Sequence, residues 1–165
     1  MAFFIGSFMQ HSMRLFFALS LLCINSFFVQ AQEKESYFPL TVKTAEKEVT
    51  FQVRLALDRE TRAQGLMYVK EMPDTEGMLF IYPNESKRSF WMRNTYISLD
   101  IIYIKRNGRI DSIQKNVPTL NDDSRPSEGK VMSVLEIKGG LSDKLGIKVG
   151  DTIKVPLSWR LKAQW

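Results

Sequence analysis

Between Val49 and Leu57 every odd-numbered residue is apolar, and every even-numbered one except Ala56 is polar. A period of two is the mark of an extended strand with one face toward a core, because successive side chains on a strand point to opposite sides. The rest of the chain repeats the theme in short pieces. Residues 37–44 form a pairing partner across 45–48. Residues 77–82 read as a buried strand stopped by Pro83, residues 87–93 as another, and residues 99–104 as a third. Asn107-Gly108 lies between Ile104 and Ile110, and both residues tolerate positive φ. It predicts a tight hairpin that sets residues 109–115 antiparallel to 99–105.

Residues 131–137 resume as a buried strand. Gly139-Gly140 break it, Ser142 caps a single helical turn ending at Gly146, and Gly150-Asp151 lead into a last strand over 152–157. Asp58 reads as the N-cap of a short helix carrying Thr61, Ala63, Leu66 and Met67, with Gly65 near its end. Together these signals predict a mostly β, β-rich α+β fold. It is a compact barrel- or sandwich-like domain over residues 37–157, with about seven short strands and one or two short helices. Strands 99–104 and 131–137 are apolar on both faces and belong at its centre. Residues 117–130 hold two prolines and two aspartates and predict a long exposed loop. Residues 158–165 form a C-terminal tail carrying Trp159 and Trp165, which folds back on the domain or touches a membrane surface.

The N-terminus has a different character. Residues 12–31 place Arg14 before an apolar run from Leu15 to Val29 and end at Val29-Gln30-Ala31, ahead of the polar QEKE. That is the layout of a secretory signal peptide, residues 1–31, followed by a linker, 32–36, with Met13 a plausible start. The apolar run is about 15 residues, short of the roughly 20 that span a bilayer. The chain is therefore expected to be exported, periplasmic or secreted, and to have no stable membrane span once cleaved; an uncleaved leader would leave it anchored.

Cleavage after Ala31 removes 31 of 165 residues, and with them His11 and Cys23, the single histidine and single cysteine of the chain. The remainder has no imidazole or thiol for nucleophilic catalysis, no disulfide, and no histidine or cysteine for a zinc or copper site. No metal and no cofactor are expected. Of the 23 basic residues only Arg14 is lost, and all 18 acids remain, so the mature charge is +4. Outside the cytoplasm that balance points to anionic glycans, lipid head groups or small acids, not nucleic acid. The excess is local: residues 84–115 carry seven basic residues against three acids.

Two groups of residues could carry function. Arg88-Ser89-Phe90-Trp91-Met92-Arg93-Asn94-Thr95 is the most unusual stretch. If extended, it sets Phe90, Met92 and Asn94 on one face and Trp91, Arg93 and Thr95 on the other. Trp91 offers a flat apolar surface, Arg93 a fork for a carboxylate or phosphate, and Asn94 both a donor and an acceptor. Arg62 and Gln64, on the predicted helix, are natural partners for the carboxylates Asp100 and Glu136 or for a ligand anion. In the structural alternative Phe90 and Met92 are core, Trp91 covers an edge and Arg93 pairs with an acid. The second group is Asp100 and Glu136, carboxylates on strands otherwise apolar. Each must be paired, hydrogen-bonded or protonated, and they form the acid–base pair available to a chain without histidine. Their structural alternative is that each only fixes the fold.

Arg62-Ala63-Gln64-Gly65-Leu66-Met67, Met72-Pro73, Gly77-Met78-Leu79-Phe80, Phe90 to Thr95, Leu99-Asp100, Val134-Leu135-Glu136, Gly140 and Gly150-Asp151 follow one another in a recognisable order and spacing. From about Pro39 to Leu157 the chain resembles the domain-of-unknown-function family 192, small bacterial and archaeal proteins that often carry a signal peptide. Ser98 stands where the family pattern usually has a proline, a departure confined to the local turn. The resemblance implies a single β-rich domain and carries over no established activity. It marks Arg62, Gly65, Trp91, Met92, Asn94, Asp100 and Glu136 as motif positions.

Three functions are compatible with this reading. A binding module for a small anionic or glycan ligand would use Arg62, Trp91, Arg93 and Asn94, and it is favoured by the local charge. A hydrolase or lyase would need Asp100 and Glu136 on one cavity. An envelope scaffold would dock through residues 117–130. The leader itself predicts that the protein recovered from periplasm or medium begins at Gln32. N-terminal sequencing checks this, and a chain recovered with its first 31 residues attached would contradict it.

Overall fold

The computed structural model describes residues 36–165. The expected leader and all but the last residue of the linker lie outside the described residues. Residues 36–165 belong to one compact unit. Strands β1 (Phe38–Lys43) and β2 (Glu48–Ala56) make the first antiparallel hairpin, pairing Leu40 with Phe51 and Val42 with Val49. Helix α1 (Arg59–Gln64) follows. Its N-cap, Asp58, accepts the Thr61 N–H at 2.8 Å while the Thr61 hydroxyl closes a reciprocal capping box.

Strand β3 (Glu76–Ser86) runs parallel to β2 and antiparallel to β8 (Val131–Lys138). Strands β5 (Leu99–Ile104) and β6 (Ile110–Val117) form the second hairpin. Strands β4 (Ser89–Phe90) and β7 (Arg125–Pro126) make a separate two-stranded ribbon. Helix α2 (Leu141–Leu145), strand β9 (Thr152–Ile153) and helix α3 (Leu157–Arg160) complete the chain. Among the described residues no helix is long and apolar enough to cross a membrane.

The main sheet has the order β6-β5-β8-β3-β2-β1-β9. It curls into a half-barrel whose two edges meet at one end. There Ile110 N–H donates to Asp151 O at 2.8 Å, Gly150 N–H to Ile110 O at 3.0 Å, and Ile153 N–H to Gly108 O at 2.8 Å. Both faces are covered. One core gathers Leu40, Phe51, Val53, Leu79, Ile81, Ile102, Leu135 and Ile137, closed by Leu141, Ile147 and Trp159. The other gathers Met78, Phe80, Ile101, Tyr103 and Val134 under Leu66, Met72 and Met92. The predicted mostly β architecture is the one observed, with β5 and β8 buried at every position except Lys138.

Several local expectations need correction. Strand β3 does not stop at Pro83; its register with β8 shifts between Ile81 and Ser86, so the proline lies where no ladder hydrogen bond is required. The β5–β6 turn places only Gly108 at positive φ (86°), not Asn107. The last strand is two residues long because the chain leaves it to form α3. Most consequential, residues 87–93 are not a strand. Only Ser89–Phe90 pair, and the chain then turns, with Thr95 N–H donating to Met92 O at 3.1 Å and Asn94 at φ 54°. Asparagine tolerates that conformation better than most residues. Met92 and Thr95 are buried, and Trp91 and Arg93 face outward.

Helix α2 is not capped by Ser142. Its N-cap is Gly140, without a side-chain bond, and the missing acceptor comes from Asp100 in strand β5. The Asp100 carboxylate, fully buried, accepts the N–H groups of Gly140 at 2.9 Å, Ser142 at 2.7 Å and Asn116 at 2.6 Å. Asn116, at φ 47°, sits where the β5–β6 register slips between Leu99 and Ile101, so its N–H belongs to a bulge. One carboxylate therefore joins two strands and a helix. Asp100→Ala removes the acceptor of three backbone N–H groups, that of the buried Ser142 among them, and is expected to lower stability by about 4 kcal/mol. Urea denaturation checks it through the transition midpoint, and a loss below about 1 kcal/mol would contradict the bracing role.

Candidate functional site

The register of β5 on β8 decides how the two carboxylates relate. Asp100 lies opposite Ile137 and Ile101 opposite Glu136. Cross-strand partners share a face and neighbours along a strand do not, so Asp100 and Glu136 are on opposite faces of the sheet. The shared cavity that the hydrolase or lyase alternative requires is not formed. A reaction run by this pair has no common site, and Asp100 is committed to backbone donors.

Glu136 stands between Met78 and Ile101 on neighbouring strands, on the face that also carries Phe80, Tyr82 and Tyr103. It is 4% exposed. Among the described residues no hydrogen bond to its carboxyl is found. Burial pushes its pKa up to about 8, only partly opposed by Arg54, which lies beyond Met78 on β2. At neutral pH the group is mainly the uncharged acid, a hydrogen-bond donor.

Glu136 opens onto a small cleft of about 30 Å³, room for two or three water molecules at ~10–15 Å³ of probe-occupied volume each. The floor is apolar, with Leu66, Phe80 and Phe90; Phe90 packs edge-on against Phe80 at 4.9 Å. The walls are Arg62, Gln64, Gly65, Trp91 and Thr95. Gly65, at φ 50° and ψ −136°, ends helix α1 in a conformation reserved for glycine and brings the chain down to the Phe80 ring. Trp91 is half exposed at the mouth.

Of the residues singled out from sequence, Arg62, Trp91 and Glu136 converge here. Arg93 and Asn94 do not line the cleft. Arg93 stacks on the Trp91 ring at 4.3 Å, and its fork is taken by Asp122, with Nη2 and Nε at 3.0 and 3.2 Å. That pairing is the structural alternative realised. Asn94 donates its amide to the Tyr68 hydroxyl at 3.0 Å. Arg62 is also committed in part: it donates to Leu57 O at 2.6 Å, Ile81 O at 3.1 Å and Gln164 O at 2.7 Å, holding the C-terminal tail against the sheet. Its charge meets carbonyl dipoles and the Tyr82 ring, 4.9 Å away, and forms no ion pair among the described residues.

Sequence reasoning did not find Tyr82 or the ribbon behind the cleft. The Tyr82 ring carries the Arg88 guanidinium at 3.9 Å as well as Arg62, and burial raises its pKa. Residues 118–130 are tethered, with Met92 N–H donating to Asn121 O at 2.7 Å, Leu120 N–H to Thr95 O at 3.1 Å and the Tyr103 hydroxyl to Arg125 O. The even-numbered alternation of Phe80 and Tyr82 was the available signal for Tyr82, hidden because residues 77–82 read as buried on both faces.

The chain belongs to the DUF192 family, an uncharacterized ACR, whose profile matches residues 40–155. Among solved structures it is similar to a Novosphingobium aromaticivorans DSM 12444 protein of unknown function. The two share 37% identity at a TM-score of 0.70, over 72% of this chain and 85% of that one. It is similar also to a Sinorhizobium meliloti 1021 protein provisionally described as a transcription regulator. Here identity is 34% and the TM-score 0.69, over 72% of this chain and 95% of the other. No curated protein matches it.

The raised pKa of Glu136 has a consequence for stability. The folded state holds this proton more tightly than the unfolded chain does. The associated stability is complete below the ordinary glutamate range and is lost as pH rises through about 8. Stability is expected to fall by an amount on the order of 5 kcal/mol across that window. In Glu136→Gln this fall should largely disappear, leaving the variant the more stable of the two at pH 9. Denaturation from pH 5 to 9 checks it, and parallel profiles for the two proteins would contradict it.

Proposed function

We propose that the chain is an exported binding domain that takes the polar end of a small anionic ligand into the cleft beneath Trp91. The observation that carries this reading is Glu136, a buried, uncharged carboxyl without a hydrogen-bond partner among the described residues, at the base of an open cleft. A buried polar group is costly until something satisfies it. The neutral acid donates to a ligand oxygen, Arg62 adds positive potential uncompensated by an ion pair, and the exposed Trp91 face packs the apolar part. The small volume admits a carboxylate or hydroxyl, with the remainder of the ligand lying across the indole. The secretory layout of residues 1–31 supports export.

A carboxylate ligand is favoured over a neutral glycan because Arg62 is the cation that lines the cleft and is in no ion pair among the described residues. Catalysis by paired acids is not part of this reading, since Asp100 and Glu136 face apart. Thermal-shift and calorimetric titration of residues 32–165 against short-chain carboxylates, uronic acids and neutral sugars tests it. A ligand present at about 100 times its Kd should stabilise the protein by about 2.7 kcal/mol. Trp91→Ala should weaken binding about tenfold or more, and binding should decline above pH 8 as Glu136 ionises. No binding by any of these classes, or a hit unchanged in Trp91→Ala, would overturn it.

A further inference from the structure

A second cavity, of about 120 Å³, lies where the edges of the half-barrel meet, remote in sequence from the Trp91 cleft. Its polar lining is unusual: Lys105 and Arg106 from the β5–β6 turn, Lys154 after β9, and Arg160 from α3. Backbone contacts already described draw these elements together. Gly108 O accepts from Ile153 N–H at 2.8 Å, and Arg160 donates through Nη1 to Arg106 O at 3.0 Å.

The charges around this cavity do not cancel. Lys105 pairs with Asp111 at 3.0 Å and Arg106 with Glu85 at 3.6 Å. Lys154 and Arg160 form no ion pair among the described residues. Four cations therefore face two carboxylates. Arg160 donates through Nη1 to Arg106 O, and its Nε is buried away from the cavity, so what it brings to the lining is the charge of the guanidinium. The cavity is far larger than one water needs, and of a size for a tetrahedral oxyanion.

We infer that this cavity is a binding site for a phosphate group, held by Lys154 and Arg160 with Arg106 and Lys105 at its edge. Phosphate suits the constellation: its oxygens accept several charge-assisted hydrogen bonds at once, and its charge balances the surplus. The group can arrive on a free small molecule or on a phospholipid. Leu157 and Leu161 neighbour the lining residues Val155 and Arg160 in sequence and are 62% and 77% exposed. They are joined as i and i+4 by the Leu161 N–H to Leu157 O bond of 2.9 Å, so they share one face. Two exposed leucines beside a cationic cavity suit a headgroup at a membrane surface. The inference does not depend on the proposed carboxylate cleft.

The test uses residues 32–165 in two arms: calorimetric titration with inorganic phosphate, and cosedimentation with vesicles of phosphatidylcholine alone or mixed with phosphatidylglycerol. Lys154→Glu is the main variant, because Lys154 is exposed and outside any ion pair among the described residues, and its melting temperature is expected to match wild type. Saturable phosphate binding weakened about tenfold or more in Lys154→Glu supports the free-phosphate source. Cosedimentation with the mixed vesicles only, abolished in Lys154→Glu and by high salt, supports the lipid source. Arg160→Gln, which keeps an amide donor, should weaken whichever binding is seen. Absence of binding in both arms, or binding that Lys154→Glu and Arg160→Gln leave unchanged, overturns the inference.

Discussion

The pairing register of β5 on β8 is the constraint from which the functional geometry follows. With Asp100 opposite Ile137 and Glu136 opposite Ile101, two acids in adjacent central strands are sent to opposite faces. A slip of one residue would exchange every side chain between the two cores, so burial on both faces fixes the register strongly. On one side Asp100 is surrounded by backbone donors and braces α2 and the β6 bulge. On the other, Glu136 meets apolar side chains and a cleft. The same residue class thus takes two roles, set by which face the strand offers it.

The second organising feature is how the irregular segments are anchored. The Trp91–Asn94 turn is braced by the chain that follows β6, through Asn121 O, Asp122 and the Thr95–Leu120 contact. Arg62 performs a parallel service at the other wall, gathering the end of β2, strand β3 and the C-terminal tail. Trp159 docks edge-on to Phe38 at 5.6 Å, which brings α3 and Arg160 onto the domain. Both cavities are consequently closed by irregular segments lying over strand residues, Phe80 and Glu136 in one and Met132 and Ser133 in the other.

Much of the architecture was legible in the chain. Strict alternation at Val49–Val53, the unbroken apolar runs of β5 and β8, and the Asp58 cap each reflect local physics that tertiary contacts reinforce. Legibility failed where a partner distant in sequence decides the conformation. Residues 87–93 have strand-like composition, yet the loop carbonyls available to Met92 and the turn at Asn94 take precedence. Ser142 has the chemistry of a cap, but the helix already begins at Leu141, and Asp100, forty-two residues before Ser142, accepts the free N–H groups of Gly140 and Ser142. Arg62, Trp91 and Glu136, each singled out in the sequence, line one cleft, although the sequence reading sets Glu136 beside Asp100 and Trp91 beside Arg93 and Asn94. Strand faces could be assigned within each strand, whereas the register between strands could not. Arg93 looked free because its partner, Asp122, lies in a segment with no periodic signal.

Glu136, an acid that burial keeps protonated at the base of an open cleft, is the group on which ligand capture depends in the proposed function. A ¹³C carboxyl NMR titration of the glutamate side chains, with the resonance assigned through Glu136→Gln, measures this directly. The structure predicts a midpoint near 8 for this one resonance. A midpoint within the ordinary glutamate range, about 4–5, would show a solvated or ion-paired carboxylate and contradict the account.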